Sequence, residues 1–367
     1  MTSTLILGAS DPEMACIEEL ASSAGWRVLH AAALGRNGVL GRVFGGGAYQ
    51  ATAVLDSGTG EVVPCPDAPV VLVECGGPAL DSADVVARCD HHNPGDPGYG
   101  RPPTEFLPAS SLGQAIRLLA VAGEIPADWR RLDASGWIEA PRPGDVAVYG
   151  AGILAVRAPE GVAAAIPLRL LLTAAGDHCL GAAYAGQCPG VDPAALIAHR
   201  RDEKAAWLAS LPTTHPARRE VEACAPGRPL REAVDAAAAR TTAALLAAPS
   251  LAITAGPPGT RPPVVVRDVR DIPPLPLLPD VAAELGIPSL YRMPPSPHAR
   301  DQRVKVGITG GGGTAAGTAA VEAFLGGWAA AQGISGCYPA LDPNLPPGEA
   351  LNAAAARGYA GGYEEQP

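Results

Sequence analysis

The fold is decided by the stretch "STLILGASDPEMACIEELASSAG" (residues 3–25), in which a short apolar run leads directly into a helical pattern. The run 4–7 predicts a buried strand, and Gly-Ala-Ser after it predicts a turn. Apolar residues then recur at helical spacing until Gly25, which ends the predicted helix. With a further strand expected at 27–31, the segment predicts a β-α-β unit.

The same alternation continues along the first half of the chain. Strands are expected at 50–54 and 69–75, and a helix at 110–123 with Ser110 or Ser111 as its N-cap. Strands that alternate with helices predict an α/β domain with a largely parallel sheet. Ligands of such sheets bind outside the carboxyl ends of the strands.

The second half predicts more helices and then a smaller α/β domain. The expected helices and strands are helices 166–193, 195–211, 230–248 and 277–287, and strands 262–270, 289–293 and 303–310. We therefore expect a metal-binding domain over 1–211, a connector and linking helix over 212–248, and a substrate-binding domain over 249–367. The two domains are expected to face each other across a cleft.

Composition narrows the class of function. The 367 residues carry a formal net charge of −10 and no long run of Lys and Arg. Long nucleic acids bind to basic surfaces, so we expect no long nucleic acid as a partner. A small anionic substrate remains possible, because a bound metal ion would offset acidic groups. The absence of an apolar run of about 18 residues predicts no membrane span. The chain has eight cysteines, no C-x-x-C pair and no signal-peptide pattern, which favours a cytoplasmic protein with reduced thiols. A homodimer is also possible.

Residues that bind metals cluster where predicted strands and helices end. The candidates for metal ligands are Asp11, Glu13, Glu74, Asp90, His91, Asp177 and His178. Carboxylate oxygens and imidazoles that converge from separate segments suit a divalent cation. Several of them could instead have a purely structural role. Asp11, for example, precedes Pro12 and fits a helix cap. Two adjacent imidazoles, His91 and His92, are harder to explain by packing.

Two further segments are candidates for substrate binding. The rigid loop "NPGDPGYGRPP" (93–103) carries Tyr99 for stacking and Arg101 for a phosphate, although solvated side chains are equally compatible with it. A glycine run, with Gly311, Gly312 and Gly313, lies between a predicted strand and helix. Such a run can offer backbone N–H groups to a phosphate, or can serve only as a tight turn.

These segments resemble, in their order, the DHH phosphoesterase superfamily, which includes RecJ-type nucleases, oligoribonucleases and inorganic pyrophosphatases. Asp90-His91-His92 matches the eponymous motif, and "GITGGGGTAAGTAA" (307–320) resembles the glycine loop of the DHH-associated domain. The family's first motif is His-x-x-x-Asp-x-Asp. The chain keeps the acid-x-acid spacing with Asp11 and Glu13, but Leu7 stands at the His position. Glu74 stands where the family usually has Asp, and the glycine loop has no His.

The resemblance implies a metal-dependent phosphoesterase with one or two Mn²⁺ or Mg²⁺ ions, acting on a small phosphorylated or nucleotide substrate. Asp90, His91 and His92 are the implied catalytic residues, with Asp90 or Asp177 as a bridging carboxylate and His92 near the leaving group. His178 is a candidate for the missing imidazole. Two alternatives remain at this point. One is a DHH-derived protein without hydrolytic activity that binds a nucleotide or partner. The other is a metal hydrolase with a non-phosphate substrate.

Overall fold

The chain forms two compact units, which are described separately. The computed structural model describes residues 3–34, 40–43, 45–138, 142–254, 262–273, 275–293, 304–310, 314–338, 341, 343–355 and 359–364. The first unit comprises Met1–Arg101 and Glu105–His178, and the second comprises Pro102–Thr104 and Cys179–Pro367. The division follows His178, whereas the sequence pattern places it after residue 211.

A twisted sheet forms the centre of the first unit. Its strands are β1 (Thr4–Leu7), β2 (Arg27–Leu34), β3 (Leu40–Arg42), β4 (Ala53–Asp56), β5 (Val62–Val63), β6 (Val70–Val73) and β7 (Val85–Cys89). The order is β5-β4-β2-β1-β6-β7, with β3 paired to β2. The strands β2, β1, β6 and β7 are mutually parallel. The α/β class is therefore confirmed. The sheet is mixed rather than largely parallel, because β3, β4 and β5 pair in antiparallel fashion.

Helices pack together beside this sheet. They are α1 (Pro12–Ser23), α2 (Phe106–Ala109), α3 (Ser111–Val121) and α4 (Leu168–His178). Every residue of β1 and β6 is buried, as expected for central parallel strands. Ile6, Leu29 and Leu72 form part of one core cluster. Leu7 and Met14 are also fully buried.

Polar side chains begin two of these helices. The Asp11 carboxylate accepts a hydrogen bond from the Met14 backbone N–H (2.8 Å), which caps α1 ahead of Pro12. Ser110 caps α3 by accepting from the Gly113 N–H (3.0 Å), so the N-cap expected for this helix is confirmed. Both caps fix the helix starts at the carboxyl ends of strands.

The sequence pattern did not predict the small antiparallel sheet of the first unit. Its strands are β8 (Arg131–Leu132), β9 (Val146–Tyr149), β10 (Ile153–Arg157) and β11 (Ala163–Ala165), in the order β8-β11-β10-β9. These strands are only two to five residues long, and β11 consists of alanine alone, so each is too short for a clear strand pattern. The helix expected at 166–193 is also shorter than predicted, because α4 ends at His178.

The second unit has its own sheet and helices. The helices are α5 (Leu180–Tyr184), α6 (Pro193–Ser210), α7 (Pro216–Glu222), α8 (Leu230–Ala247), α9 (Leu278–Glu284), α10 (Ala315–Ala323), α11 (Ala329–Ala331) and α12 (Pro347–Ala355). The strands are β12 (Ser250–Ile253), β13 (Val264–Asp268), β14 (Ser289–Met293), β15 (Lys305–Thr309), β16 (Ile334–Tyr338) and β17 (Tyr359–Glu364). Their order is β12-β13-β14-β15-β17-β16, and only β13 and β14 pair in parallel.

Ion pairs explain why α6 belongs to the second unit. Arg200 Nε lies 3.0 Å from Asp280 Oδ1 in α9, and Arg201 Nη1 lies 3.2 Å from Asp235 Oδ1 in α8. Half-buried ion pairs of this kind join three helices into one packed group. The polar stretch expected as a connector also contains the helix α7.

Within the described ranges, no helix is both long and apolar enough to cross a bilayer. None of the eight cysteines forms a disulfide.

We predict that Gly8→Ala destabilises the first unit far more than Gly41→Ala. A Cβ at Gly8 would overlap the carbonyl oxygen of Glu74, whereas a Cβ at Gly41 meets nothing within 4 Å. The backbone cannot move aside as a flexible side chain can, so the free energy of unfolding should fall by about 1–3 kcal/mol or more. Gly41→Ala should change it by less than about 0.5 kcal/mol. Urea unfolding followed by circular dichroism measures both, and equal stability of the two variants would contradict the packing described.

Candidate metal centre

The site lies in the first unit, where β1, β6, β7 and α4 end. Glu13 is in the first turn of α1 after β1, Glu74 follows β6, His91 follows β7, and Asp177 is near the end of α4. One ligand atom from each of these four residues lies within 4.8 Å of the others. Four separate segments therefore bring three carboxylates and one imidazole together.

Glu13 is the most deeply enclosed of the carboxylates. Its side chain is almost fully buried, and Oε1 accepts a hydrogen bond from the Leu112 N–H (2.9 Å). Among the described residues, Oε2 has no hydrogen-bond partner. Burial, and then the charges of Asp177 and Glu74, raise the pKa of Glu13 well above its ordinary value. An unsatisfied buried oxygen facing other carboxylates is suited to a cation.

Glu74 holds a backbone conformation that non-glycine residues rarely adopt. Its φ is +47°, and its N–H donates to the Cys89 carbonyl (3.0 Å). Such left-handed backbone costs about 1–3 kcal/mol and is concentrated at functional sites. The Glu74 carboxylate accepts from the Ser111 hydroxyl (2.7 Å). Burial is the main cause that raises the pKa of Glu74 to about 8.

His91 is the buried centre of the cluster. Its Nε2 lies 3.2 Å from Asp177 Oδ2, and its Nδ1 lies 3.3 Å from Ser111 Oγ and 3.4 Å from Glu74 Oε1. Loss of solvent alone would raise the pKa of Asp177, but the hydrogen bond and charge of His91 outweigh it. The pKa of Asp177 is therefore held below its usual range.

Asp90 organises the turn that carries both histidines. Its Oδ1 accepts from the backbone N–H groups of His91 (2.8 Å) and His92 (3.1 Å), and the Tyr49 hydroxyl lies 2.9 Å from both carboxylate oxygens. The side-chain amide of Gln114 bonds the Asp90 N–H and carbonyl (3.1 Å each). Hydrogen bonds from His92 and Tyr49 overcome the effect of burial and lower the pKa of Asp90. Asp90 lies outside the four-residue group.

Around this group lie Asp11 and His178, which are predicted metal ligands, and His92, which is predicted to be catalytic and forms a second possible metal group with Glu74 and His91. Asp11 caps α1, and burial together with the charge of Asp177 raises the pKa of Asp11 to about 7. His92 Nδ1 lies 3.3 Å from Asp90 Oδ1 and 3.7 Å from Glu74 Oε1, with its ring stacked on His91 at 4.3 Å. The His178 ring meets His91 edge-on at 5.0 Å.

The predicted substrate residues lie in less defined surroundings. Arg101 is exposed, and its Nη1 lies 3.2 Å from Glu105 Oε2, while Tyr99 is half-buried. Gly311, Gly312 and Gly313 lie outside the described residues. The loop itself packs on the site, because a Cβ at Gly98 would overlap the Ala109 carbonyl and lie 2.8 Å from His91 Cβ.

Sequence reasoning missed three residues that hold the site together. Tyr49 and Gln114 fix Asp90, and Ser111 links His91 to Glu74. Ser111 was considered only as an N-cap. Tyr49 follows a glycine run in a 3₁₀ turn (Gly45–Gln50), which has no periodicity that would mark it. Only Ser111 could have been recognised from the sequence as a site residue, because it lies at the start of a helix that faces the ends of strands.

The three carboxylates and the imidazole could together hold a metal ion, and the geometry does not indicate which one. Burial is the main cause of the raised pKa values of Glu13 and Glu74, and neighbouring carboxylates add to it. Comparison of the chain with protein-family models, curated proteins and solved structures finds no match. The function must therefore be argued from this geometry.

We predict that the metal-free protein loses stability as pH rises from about 4.5 to about 8. The pKa of Glu74 is raised from 4.5 to about 8, so the folded state binds this proton more tightly than the unfolded chain does. The stability added by the proton is complete below the unfolded pKa and lost above the folded one. The lowered pKa of Asp177 changes the stability only at pH values below about its ordinary pKa of 3.8, which is outside this range.

Urea unfolding in the presence of a chelator, measured at several pH values, tests this dependence. Glu74→Gln should flatten the decline, and added Mn²⁺ should reverse it by neutralising the carboxylates. Glu19→Gln is the matched control, since Glu19 lies on α1 as an exposed partner of Arg169. A wild-type stability that rises between pH 4.5 and 8 without metal would refute the charge balance described.

Proposed function

We propose that the chain is a metal-dependent phosphoesterase acting on a small phosphorylated or nucleotide substrate. The observation that carries the proposal is the group of Glu13, Glu74, His91 and Asp177, whose ligand atoms lie within 4.8 Å of one another. The Glu13 oxygen without a hydrogen-bond partner and the raised pKa values of Glu13 and Glu74 support a resident cation. In this proposal the cation is Mn²⁺ or Mg²⁺.

A bound ion of this class polarises a phosphoryl oxygen and lowers the pKa of water. The protein's contribution begins with the tautomer of His91. The Ser111 hydroxyl donates to Glu74 (2.7 Å), so its oxygen is available to accept from His91 Nδ1–H (3.3 Å). With a cation bound, Nε2 would present its lone pair to the ion instead of donating a hydrogen to Asp177.

The second histidine is suited to proton transfer. His92 Nδ1 is directed to Asp90 Oδ1 (3.3 Å), and the lowered pKa of Asp90 keeps that carboxylate charged. An ionised carboxylate orients the ring and favours the protonated imidazole. The His92 side chain is 32% exposed, unlike His91, so its other nitrogen can reach a substrate. We assign His92 to protonation of the leaving oxygen.

In this proposal Asp90 orients residues and does not bind the ion. Its carboxylate already accepts two backbone N–H bonds and the Tyr49 hydroxyl bond. Glu13, Glu74 and Asp177 are the carboxylates that would hold the cation together with His91. The small size of the substrate follows from the net charge of −10, which disfavours long polyanions. The second unit is assigned to substrate binding by the resemblance of its glycine loop.

We predict that Glu13→Gln lowers both metal occupancy and hydrolysis. The change removes a charged ligand but keeps the shape and the bond from Leu112 N–H, so folding should be retained. Activity should fall by on the order of 100-fold, as for the loss of groups that support a metal. Mn²⁺ content by mass spectrometry and hydrolysis of p-nitrophenyl phosphate and bis(p-nitrophenyl) phosphate measure the two effects.

Glu19→Gln is the control, because it neutralises an exposed carboxylate on the same helix. It should leave metal content and hydrolysis unchanged. Equal Mn²⁺ content and equal activity in Glu13→Gln and wild type would refute the proposed site. Wild-type protein that binds Mn²⁺ but hydrolyses neither ester would favour the DHH-derived binding protein without hydrolytic activity.

A further inference from the structure

A cavity of about 610 Å³ lies in the first unit, outside the metal group. Its volume falls in the range of roughly 300–1,000 Å³ that is typical of sites for small molecules. Gln114 lines it and bonds through its side-chain amide to the backbone of Asp90. The cavity therefore adjoins the turn that carries both histidines, but no member of the metal group is among the residues that line it.

The first wall of the cavity is the outer edge of β7. In the described part of the chain, β7 is the last strand of its sheet and pairs only with β6. Ala87, Arg88 and Cys89 all line the cavity, although consecutive side chains of a strand point to opposite faces of the sheet. The cavity therefore runs along the edge of the strand and does not lie under one face of the sheet.

The second wall is one face of α3, and it offers apolar surface. Gln114, Arg117, Leu118 and Val121 line the cavity at the spacing of residues that share one side of a helix. The Val121 side chain is exposed, and Leu118 is half-buried. Apolar atoms that remain in contact with water beside a cavity favour a ligand with an apolar body.

The loop before α3 forms the third wall, and each wall contributes one arginine. Arg88 belongs to β7, Arg101 to the loop and Arg117 to α3. Among the residues that line the cavity, Glu105 is the only acid. Three guanidinium groups against one carboxylate give the cavity an excess of positive charge, in a chain whose formal net charge is −10. This local excess favours an anionic ligand.

The present contacts of these arginines leave them able to bind such a ligand. Arg88 Nη1 donates to the Cys75 carbonyl (2.9 Å), which holds this guanidinium at the strand. Arg101 Nη1 lies 3.2 Å from Glu105 Oε2, and Arg117 Nη2 lies 3.9 Å from Asp145 Oδ1. The side chains of Arg101 and Arg117 are 57% and 58% exposed, and exposed ion pairs are weak. Since a guanidinium has five N–H donors, an anion can add to these contacts or replace them.

We propose that this cavity is a second ligand site, which binds a small organic phosphate. The arginines bind the phosphate oxygens, because the planar donors of a guanidinium match them and stay charged at neutral pH. A phosphate also offers more oxygens and more charge to three guanidinium groups than a single carboxylate does. Leu118 and Val121 contact the apolar or planar body of the ligand. This inference does not rest on the proposed hydrolytic function.

The test uses the full chain without added metal, so that the acidic metal group does not attract phosphates. ADP is the probe, and adenosine and inorganic pyrophosphate are its comparisons. ADP should bind at least about 10-fold more tightly than either, because adenosine lacks the phosphates and pyrophosphate lacks a body for the apolar wall. Titration calorimetry measures the three affinities.

Substitutions in the walls then locate the bound ADP. Arg101→Met and Arg117→Met should each weaken its binding by about 10-fold, the lower end of the effect expected for a hydrogen bond to a charged group. Val121→Glu places a carboxylate on the exposed wall and should also weaken ADP binding. All three positions are exposed, so the variants should fold, which circular dichroism checks.

Arg27→Met is the matched control, since Arg27 is an exposed arginine of β2 paired with Asp56 (3.6 Å). It should bind ADP like the wild type, and so should Glu13→Gln, which changes the metal group. The inference would be overturned by a wild type that does not bind ADP, by equal affinities for ADP and pyrophosphate, or by unchanged affinity in both arginine variants. Binding lost in Glu13→Gln but kept in the arginine variants would place the anion at the metal group and would overturn it as well.

The outcomes separate this inference from the proposed function. Hydrolysis of phosphate esters by a protein that does not bind ADP through Arg101 and Arg117 would keep the proposed function and end this inference. ADP binding that depends on these arginines, in a protein that hydrolyses neither ester, would keep the ligand site and end the proposed function.

Discussion

Mutual repulsion among three carboxylates that converge on His91 is the constraint on which the first unit depends, with Glu13 and Glu74 buried and Asp177 at the exposed edge of the group. Glu13, Glu74 and Asp177 each bring a ligand atom into a sphere that also holds His91. Removing such charges from water is expensive unless they are paired or neutralised. The raised pKa values of Glu13 and Glu74 reflect that energetic cost. At Asp177 the hydrogen bond and charge of His91 outweigh it and lower the pKa. The geometry of the group is one that could hold a metal ion.

The surrounding scaffold is built to hold that arrangement against its own repulsion. Glu74 stays in a left-handed backbone conformation at the end of a buried strand. Gly8 and Gly98 allow backbone and loop to approach the site more closely than any side chain would permit. Asp90 fixes the turn between His91 and His92 through bonds that leave little freedom to either ring. Backbone strain and close packing are therefore concentrated around the group of Glu13, Glu74, His91 and Asp177, whose relative positions they fix.

The distribution of charge around the cluster is asymmetric. Towards α4 and β7 the carboxylates meet the imidazoles of His91 and His92. Towards the end of β1, the charge of Arg42 lowers the pKa of Asp11 against the effect of burial, while Leu7 contributes only apolar packing.

The sequence by itself determined the strand–turn–helix at 3–25, the α/β class and the candidates Glu13, Glu74, His91 and Asp177, because periodicity and motif spacing are local properties. It left out the antiparallel strand pairings of the first unit and placed the domain boundary later than the compact units do, since the pairing of short strands and the packing of helices depend on distant partners. Only the tertiary structure decided which candidates share one space and which, like Asp90, orient their neighbours. It also revealed Tyr49 and Arg42, whose contacts join residues distant in sequence through folding alone.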